Sequence, residues 1–208
     1  MVAGNHQFRT LSVGGSYACG LQSSGELYCW GSNEDGQLGD GTIIDRSVPV
    51  IVPGGLLFQE VAAERSTTCG LVQGKAYCWG NNLNGQLAIG VTSQPKTTPT
   101  AVVGGLTFAS ISVGSIHSCA LTISGSAYCW GNNQHRQLGD GTSVTLRTSP
   151  TLVLGGLTFV EISPAYFTTC GVTNTGSLYC WGQNQNGQVG IGATTGDVVT
   201  PTLVRISR

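Results

Sequence analysis

The chain has 208 residues, 32 of them Gly, with 40% hydrophobic and 9% charged residues and a formal net charge of −1. That composition can bury a sizeable core and excludes a disordered polymer, and with neither sign of charge gathered into a run it argues against a nucleic-acid partner. Residues 1–10 lack the apolar run of a signal peptide and no later stretch is long enough to span a bilayer, so the chain reads as soluble, with no membrane partner.

The first unit, 3–52, carries Phe8, the tetrad Tyr28-Cys29-Trp30-Gly31 and the tail Leu38-Gly39-Asp40-Gly41-Thr42. The second, 53–102, repeats the pattern with Gly54-Gly55 before Phe58, then Tyr77-Cys78-Trp79-Gly80 and Leu87-Ala88-Ile89-Gly90. The third, 103–153, has Gly104-Gly105 before Phe108, Tyr128-Cys129-Trp130-Gly131 and Leu138-Gly139-Asp140-Gly141-Thr142. The fourth, 154–204, has Gly155-Gly156 before Phe159, Tyr179-Cys180-Trp181-Gly182 and Val189-Gly190-Ile191-Gly192. The Trp residues stand 49, 51 and 51 positions apart, so one unit of roughly 51 residues fills the chain and leaves no segment for a separate catalytic domain. Alternation of the tails between odd and even units hints at duplication of a two-unit ancestor. In the third unit, strands are predicted at 99–103, 108–113, 117–123 and 126–131, each bounded by Gly, Ser, Thr or Pro. Four short strands per unit, Gly-rich turns and almost no helix predict an all-β protein, a β-propeller of four four-stranded blades, each burying its faces against its neighbours.

The eight Cys fall as Cys19/Cys29, Cys69/Cys78, Cys119/Cys129 and Cys170/Cys180, with no Cys-x-x-Cys pair and no His at zinc-site spacing, so neither a metal nor a cofactor is expected. Cys19 and Cys29 are equidistant from a Ser23-Ser24-Gly25 tip, as are Leu21 and Leu27, which sets them opposite each other across a hairpin with Gly at the left-handed position. The second unit is one residue shorter here. Cys69 and Cys78 nevertheless stay opposed across a two-residue Gln73-Gly74 turn, as a non-hydrogen-bonded pair with Cα atoms about 4.5 Å apart. Four disulfides within blades are therefore predicted, with pairs of buried free thiols in a cytosolic protein as the alternative. Each would close a loop of about ten residues and stabilise by at most ~2.5–3 kcal/mol, tying strands within a blade without fastening blades together. An oxidising location follows: extracellular, periplasmic or cell-surface.

The third unit reads Gly114, His117, Ala120 and Leu121, then Gly125, Tyr128, Trp130, Gly131 and Asn133, then Gln137, Leu138, Gly139 and Gly141. In these residues the sequence resembles the regulator of chromosome condensation repeat family, and the resemblance covers essentially the whole chain. Kelch repeats share the unit length and the Gly-Gly doublet but not the Gln-Leu-Gly tail. The resemblance implies a ring, typically of seven blades, used as an interaction platform. Members include a nucleotide exchange factor for a small GTPase on chromatin, β-lactamase inhibitors and a plant ultraviolet photoreceptor. The chain departs from the photoreceptor in having no second Trp after each Trp-Gly, and from a chromatin binder in lacking a basic tail. Near-neutral charge, doubled Cys and Gly-Ser-Thr-rich loops look most like secreted bacterial members.

Four units fall short of seven. Aligned with the third unit, Ala3-Gly4 matches Val103-Gly104 and residues 201–204 match 99–102, so the chain starts in the repeat where it stops. The terminal strand, 199–206, can then complete the blade opened at the N-terminus. Exchanged head to tail between two chains, it gives a homodimer with eight blades and no open edge, the favoured arrangement. A four-bladed monomer closed on itself and a fragment of a longer chain are the others.

Trp30, Trp79, Trp130 and Trp181, with Tyr28, Tyr77, Tyr128 and Tyr179, recur in every unit as packing between blades requires, and are read as structural rather than as a ligand platform. Asn33, Asp35 and Asp40 are spaced like part of a calcium loop, but the bidentate acid that ends such a loop is missing, and Asp commonly serves turns. His6, His117 and His135 do not recur together, and none stands by a Ser or Cys at a nucleophile–base spacing, so no enzyme is expected. His117 has Tyr17, Thr67 and Phe167 as counterparts. Function is assigned to the segments that differ between units: 34–35, 43–47, 91–97, 134–136 and 143–148. Their candidate contacts are Glu34, Asp35, Ile43, Arg46, Gln94, Lys96, His135, Arg136 and Arg147. The expected function is a non-catalytic scaffold presenting these loops to an unidentified protein partner. One alternative is a self-assembly module whose repeats associate into a complete ring. Guanine nucleotide exchange activity, implied by the family resemblance alone, is another.

Overall fold

The computed structural model describes residues 7–194 and 196–206; Ala3, Gly4 and His6 lie outside the described residues. Among the described residues the elements are all strands. The first sheet holds β1 Phe8–Val13, β2 Tyr17–Gln22, β3 Leu27–Gly31 and β4 Arg46–Ile51, and the second holds β5 Glu60–Glu64, β6 Thr67–Val72, β7 Lys75–Gly80 and β8 Lys96–Ala101. The third holds β9 Ser110–Val113, β10 His117–Leu121, β11 Ala127–Asn132 and β12 Leu146–Leu152, and the fourth holds β13 Phe159–Pro164, β14 Thr168–Thr173, β15 Leu178–Gly182 and β16 Val198–Leu203. Each sheet is an antiparallel meander in chain order, the blade architecture of an all-β propeller.

One strand lies elsewhere than expected. The segment at 99–103, assigned from sequence to the third blade, belongs to the second: β8 pairs with β7, Tyr77 opposite Ala101 and Cys78 opposite Thr100, and Val102 N donates to Ala76 O at 2.9 Å. The fourth strand of the third blade is β12, which the chain reaches only after the long loop that follows β11. By the same rule β16 pairs with β15 of its own sheet. No sheet therefore needs a strand exchanged between chain ends to reach four strands. Each outer strand carries a proline, Pro49, Pro99, Pro150 or Pro201, which withholds one N–H from the open edge.

The hairpin geometry follows the cysteines. Cys19 faces Cys29, Cys69 faces Cys78, Cys119 faces Cys129 and Cys170 faces Cys180, all four pairs are bonded with Cα atoms 4.1 Å apart, and none is left free. The short second hairpin turns on Gln73 and Gly74 at φ 50° and 76°, the pair of left-handed residues that a two-residue turn requires.

Three of the four disulfides, Cys19–Cys29, Cys69–Cys78 and Cys119–Cys129, sit at the centre of the joints between blades, a role the hairpin argument alone did not reveal. The first sheet presents Cys19, Leu21, Leu27, Cys29 and Leu38, and the second answers with Phe58, Val61, Ala63 and Trp79. The second and third joints repeat this, with Phe108, Ile111, Val113 and Trp130, then Phe159, Ile162 and Trp181, as the answering sets. Burying one such side chain stabilises by about 1.5–3 kcal/mol, so the several packed at each joint outweigh the bridge among them. A polar staple completes each joint. Trp79 Nε1 and Thr68 Oγ1 both donate to the Gln37 carbonyl, at 2.9 and 2.7 Å. Trp130 and Ser118 do so to Gln86, at 2.8 and 3.1 Å, and Trp181 and Thr169 to Gln137, at 2.9 and 2.7 Å. The indole leaves little room beneath it: a Cβ at Gly39, whose φ is +71°, would stand 2.6 Å from Trp79 Nε1.

Candidate interaction face

In a four-strand meander the connections alternate between the two ends of the sheet. The turn between the first and second strands and the long loop between the third and fourth therefore emerge together on one face of the array, while the hairpin tips at 23–25, 73–74 and 123–125 lie on the other. All the sequence-predicted contact loops share the first face.

A buried Asn holds each long loop in shape. Asn33 Oδ1 accepts from Leu38 N at 3.0 Å and its Nδ2 donates to Ile44 O at 3.2 Å. Asn133 likewise joins Leu138 N and Val144 O, at 3.0 and 2.8 Å, and Asn82 joins Leu87 N and Val91 O, at 3.2 and 2.9 Å. Asn33 thus organises backbone, and Asp40 is likewise engaged. Its carboxylate accepts from Thr42 and pairs with Arg46 at 2.7 Å, as Asp140 does with Thr142 and with Arg147 at 2.8 Å. Burial raises both carboxyls, but hydrogen bonds from the Thr and Arg partners and the guanidinium charge outweigh it and hold both below the ordinary carboxylate range. Among the described residues no three His, Cys, Asp or Glu side chains come together as a metal-holding group.

Three sequence-predicted contacts are placed differently from the rest. Arg46 and Arg147 lie in β4 and β12 and are committed to the aspartates of their own blades, and Lys96 opens β8. Glu34, Ile43 and Gln94 are exposed on the loop face. Arg136 sits at φ 65° where the other units have Gly36, Gly85 and Gly187.

The structure brings together residues that sequence reasoning passed over, Arg65, Tyr166 and Phe167, with two that it named, His135 and Asp35. The turn before the second strand places Gly15, Arg65, Ser115 and Tyr166 at equivalent positions, linked around the array by Gly15 N to Arg65 O at 3.2 Å and Ser115 N to Ala165 O at 3.1 Å. Arg65, at φ 47°, reaches from the second blade to the fourth. Its guanidinium lies 5.8 Å from the Tyr166 ring centroid and donates to Tyr166 Oη at 3.4 Å. Tyr166 stands edge-on to Phe167, centroids 4.2 Å apart, and Phe167 meets His135 at 4.4 Å. His135 Nδ1 lies 3.3 Å from Asp197. Beside Arg65 a cleft of about 240 Å³ is lined by Asp35, Asn81, Leu83, Asn84, Ser115 and Ile116. The signal that could have found this cluster is non-repetition in a repeated turn: only there do Gly, Arg, Ser and Tyr alternate at one position.

His117 belongs to a joint instead, and its counterpart in the fourth blade is Thr168 and not Phe167, since Thr168 faces Gly182 as His117 faces Gly131. His117 is wholly buried on β10, with Nε2 2.8 Å from Thr169 Oγ1. Since the Thr169 hydroxyl donates to Gln137 O, Nε2 must carry the proton and donate, which leaves Nδ1 bare. Nδ1 has no hydrogen-bond partner, and burial pushes the imidazole down to about 3. No helix among the described residues is long and apolar enough to cross a membrane.

Comparisons with known proteins agree on the fold. A family model described as "Regulator of chromosome condensation (RCC1) repeat" matches residues 24–70, 73–121 and 124–172, and a second of the same description matches 8–37, 108–137 and 166–188. The chain is 34% identical over 207 residues to the human E3 ubiquitin-protein ligase HERC2, covering 96% of this chain and 4% of that protein. It is 33% identical over 196 residues to the ultraviolet-B receptor UVR8 of Arabidopsis thaliana, covering 91% and 44%. Among solved structures, human WBSCR16 superposes with a TM-score of 0.87 at 24% identity, covering 99% of this chain and 55% of that one. Yeast RCC1 (Prp20), in the structure titled "Crystal structure of Kap60 bound to yeast RCC1 (Prp20)", gives 0.86 at 21%, covering 100% and 50%. The chain thus spans about half or less of the proteins it matches. These sequence relatives are eukaryotic, so the expected likeness to secreted bacterial members finds no support among them.

Proposed function

Because this chain belongs to the regulator of chromosome condensation (RCC1) repeat family, we propose that it works as a non-catalytic scaffold, presenting its loop-bearing face to a protein partner in an oxidising compartment. The observation that carries this is the convergence of non-repeating residues on one face: Arg65, Tyr166, Phe167 and His135, from three different blades, meet there. Blade packing does not call for them, because the other units do without them. Arg and aromatic side chains are the types that anchor protein contacts, and Arg65 holds a left-handed backbone conformation, a strain characteristic of functional turns. Yeast RCC1, a structural relative, is bound to a protein partner, Kap60, in its solved structure, which supports the class of function and not the partner's identity. Four disulfides, three of them sealed between blades, support an extracellular, periplasmic or cell-surface location.

The test is retention of a purified partner, first identified by crosslinking in the native extract. Combined Arg65→Ala and Tyr166→Ala should lower retention at least tenfold, while Ile123→Ser, at a hairpin tip on the opposite face, should leave it unchanged. Retention that survives the first change, or is lost with the second, contradicts the reading.

A further inference from the structure

The cleft beside Arg65 is built as a socket that the packing of the blades does not call for. Arg65 and Asp35 both stand in its walls without pairing with each other, and among the described residues neither forms an ion pair elsewhere. The Arg65 guanidinium makes one hydrogen bond, the 3.4 Å one to Tyr166 Oη, so most of its five N–H donors are left for an acceptor that these residues do not supply. Its position is set all the same: Gly15 N donates to the Arg65 carbonyl, the backbone stands at φ 47°, and the guanidinium lies 5.8 Å from the Tyr166 ring centroid. The rest of the wall is fixed as well. Asn81 Nδ2 donates to Asp35 Oδ1 at 3.0 Å, while Asn81 Oδ1 accepts from Leu83 N and Gln86 Nε2, both at 3.1 Å. Two apolar side chains interrupt this polar lining. Leu83 is 62% exposed where the other units carry Glu34, Gln134 and Gln185, and Ile116 is buried where they carry Ser16, Ser66 and Phe167.

We propose that this cleft receives a single acidic side chain of a partner protein, its carboxylate on Arg65 and an adjoining apolar residue on Leu83. A guanidinium fork matches the two oxygens of a carboxylate, and a donor held in place before binding loses little freedom when it is used. Asp35 limits the occupant to one negative charge. A second carboxylate, or a phosphate carrying nearly two charges, meets a like charge inside the same cleft, and such juxtapositions reject a partner. The carboxylate belongs to a protein and not to a free small acid, because a cleft of about 240 Å³ with so exposed a Leu83 on its rim does not enclose its occupant, whereas small-molecule sites bury most of their ligand. That choice of source rests on the reading of this face as a partner surface; the pairing of Arg65 with a carboxylate does not.

The test is an NMR titration of the full isotope-labelled chain, 21.5 kDa, with the peptide acetyl-Ala-Leu-Glu-Leu-Ala-amide and with its twin carrying Gln for Glu. The Glu peptide should shift the Arg65 side-chain and Ser115 backbone signals to saturation, and the Gln twin should bind at least about tenfold more weakly, the worth of one charge-assisted hydrogen bond. Arg65→Gln should erase the difference between the two peptides. Leu83→Gln, which installs the residue of the third and fourth units, should weaken both peptides and keep the lead of Glu over Gln. Asp35→Asn should tighten a peptide with two neighbouring acids by roughly two- to fivefold, the worth of one exposed charge pair, and this gain of binding does not depend on a variant failing. Glu and Gln peptides that bind alike, or shifts that avoid the cleft, overturn the proposal, and sodium acetate binding as tightly as the Glu peptide overturns the protein as the source. Partner retention lost in the Arg65→Ala and Tyr166→Ala variant, with the two peptides indistinguishable, sinks this inference and spares the face; peptides told apart, with retention intact, do the reverse.

Discussion

His117 makes stability depend on pH, and Glu60, whose carboxyl burial raises above 4.5, acts with the opposite sign as pH falls toward that value. The folded-state value of His117 is pushed from 6.5 to about 3, so the unfolded chain takes up a proton near neutrality that the folded chain refuses. Stability is fully present above the unfolded value and is lost as pH falls from 6.5 toward 3, by about 1.4 kcal/mol per pH unit. Between about pH 7.5 and about pH 4.5 this one residue should remove ~2.7 kcal/mol. Asp40 and Asp140 are depressed carboxyls, so their contribution is lost only as pH falls below 3.8. The assay is urea unfolding followed by far-ultraviolet circular dichroism at both pH values, with disulfides intact, for the natural chain and for His117→Gln. A glutamine amide can still donate to Thr169 and does not titrate. Whatever it costs in absolute stability, the difference between the two pH values should shrink by ~2–3 kcal/mol. An equal pH dependence in both proteins refutes the bare, unpartnered Nδ1.

The staples predict unequal tryptophans. Trp130→Phe should cost ~2–3 kcal/mol, about one for the bond to Gln86 and the rest for lost packing, whereas Trp30→Phe should cost less than ~1 kcal/mol; denaturant midpoints compare them, and equal losses contradict the joint. Timed alkylation under limiting reductant should open Cys170–Cys180 first, since Cys170 faces a hollow while the other three pairs are wholly buried; simultaneous opening speaks against an uncovered fourth face. Ala88, left-handed at φ 52° where Gly39 and Gly139 stand, should be improved by Ala88→Gly by about 0.5–1 kcal/mol, read as a raised midpoint. No gain would mean that the joint has adapted to the methyl group.

Much of the architecture was legible before any coordinates. Tyr-Cys-Trp-Gly recurring at Trp30, Trp79, Trp130 and Trp181 fixes the unit, and the symmetric placement of Cys19 and Cys29 about Gly25 fixes a hairpin, because pairing across a turn is a matter of counting. The outer strand was misassigned because a strand's own residues do not say which neighbour it pairs with. Pro99 in fact carried a usable hint, since a strand with proline belongs at an edge, and the open edge of a blade is the one the chain reaches last. The contact face was half legible. Glu34, Ile43 and Gln94 differ between units and are exposed, but Arg46 and Arg147 differ in their surroundings and still serve Asp40 and Asp140 of their own blades.

By itself the sequence determined what is local and periodic: strands, turns, disulfide pairs and the identity of one blade with the next, all set by contacts between residues near in number. Only the tertiary structure decided what those units do to one another. That Arg65 meets Tyr166 from two blades away, that His117 loses water on every side, and that Leu11 and Leu178 stay uncovered all depend on where blades stand in space. No repeat records its own place in the array, because every copy is built to the same local rules.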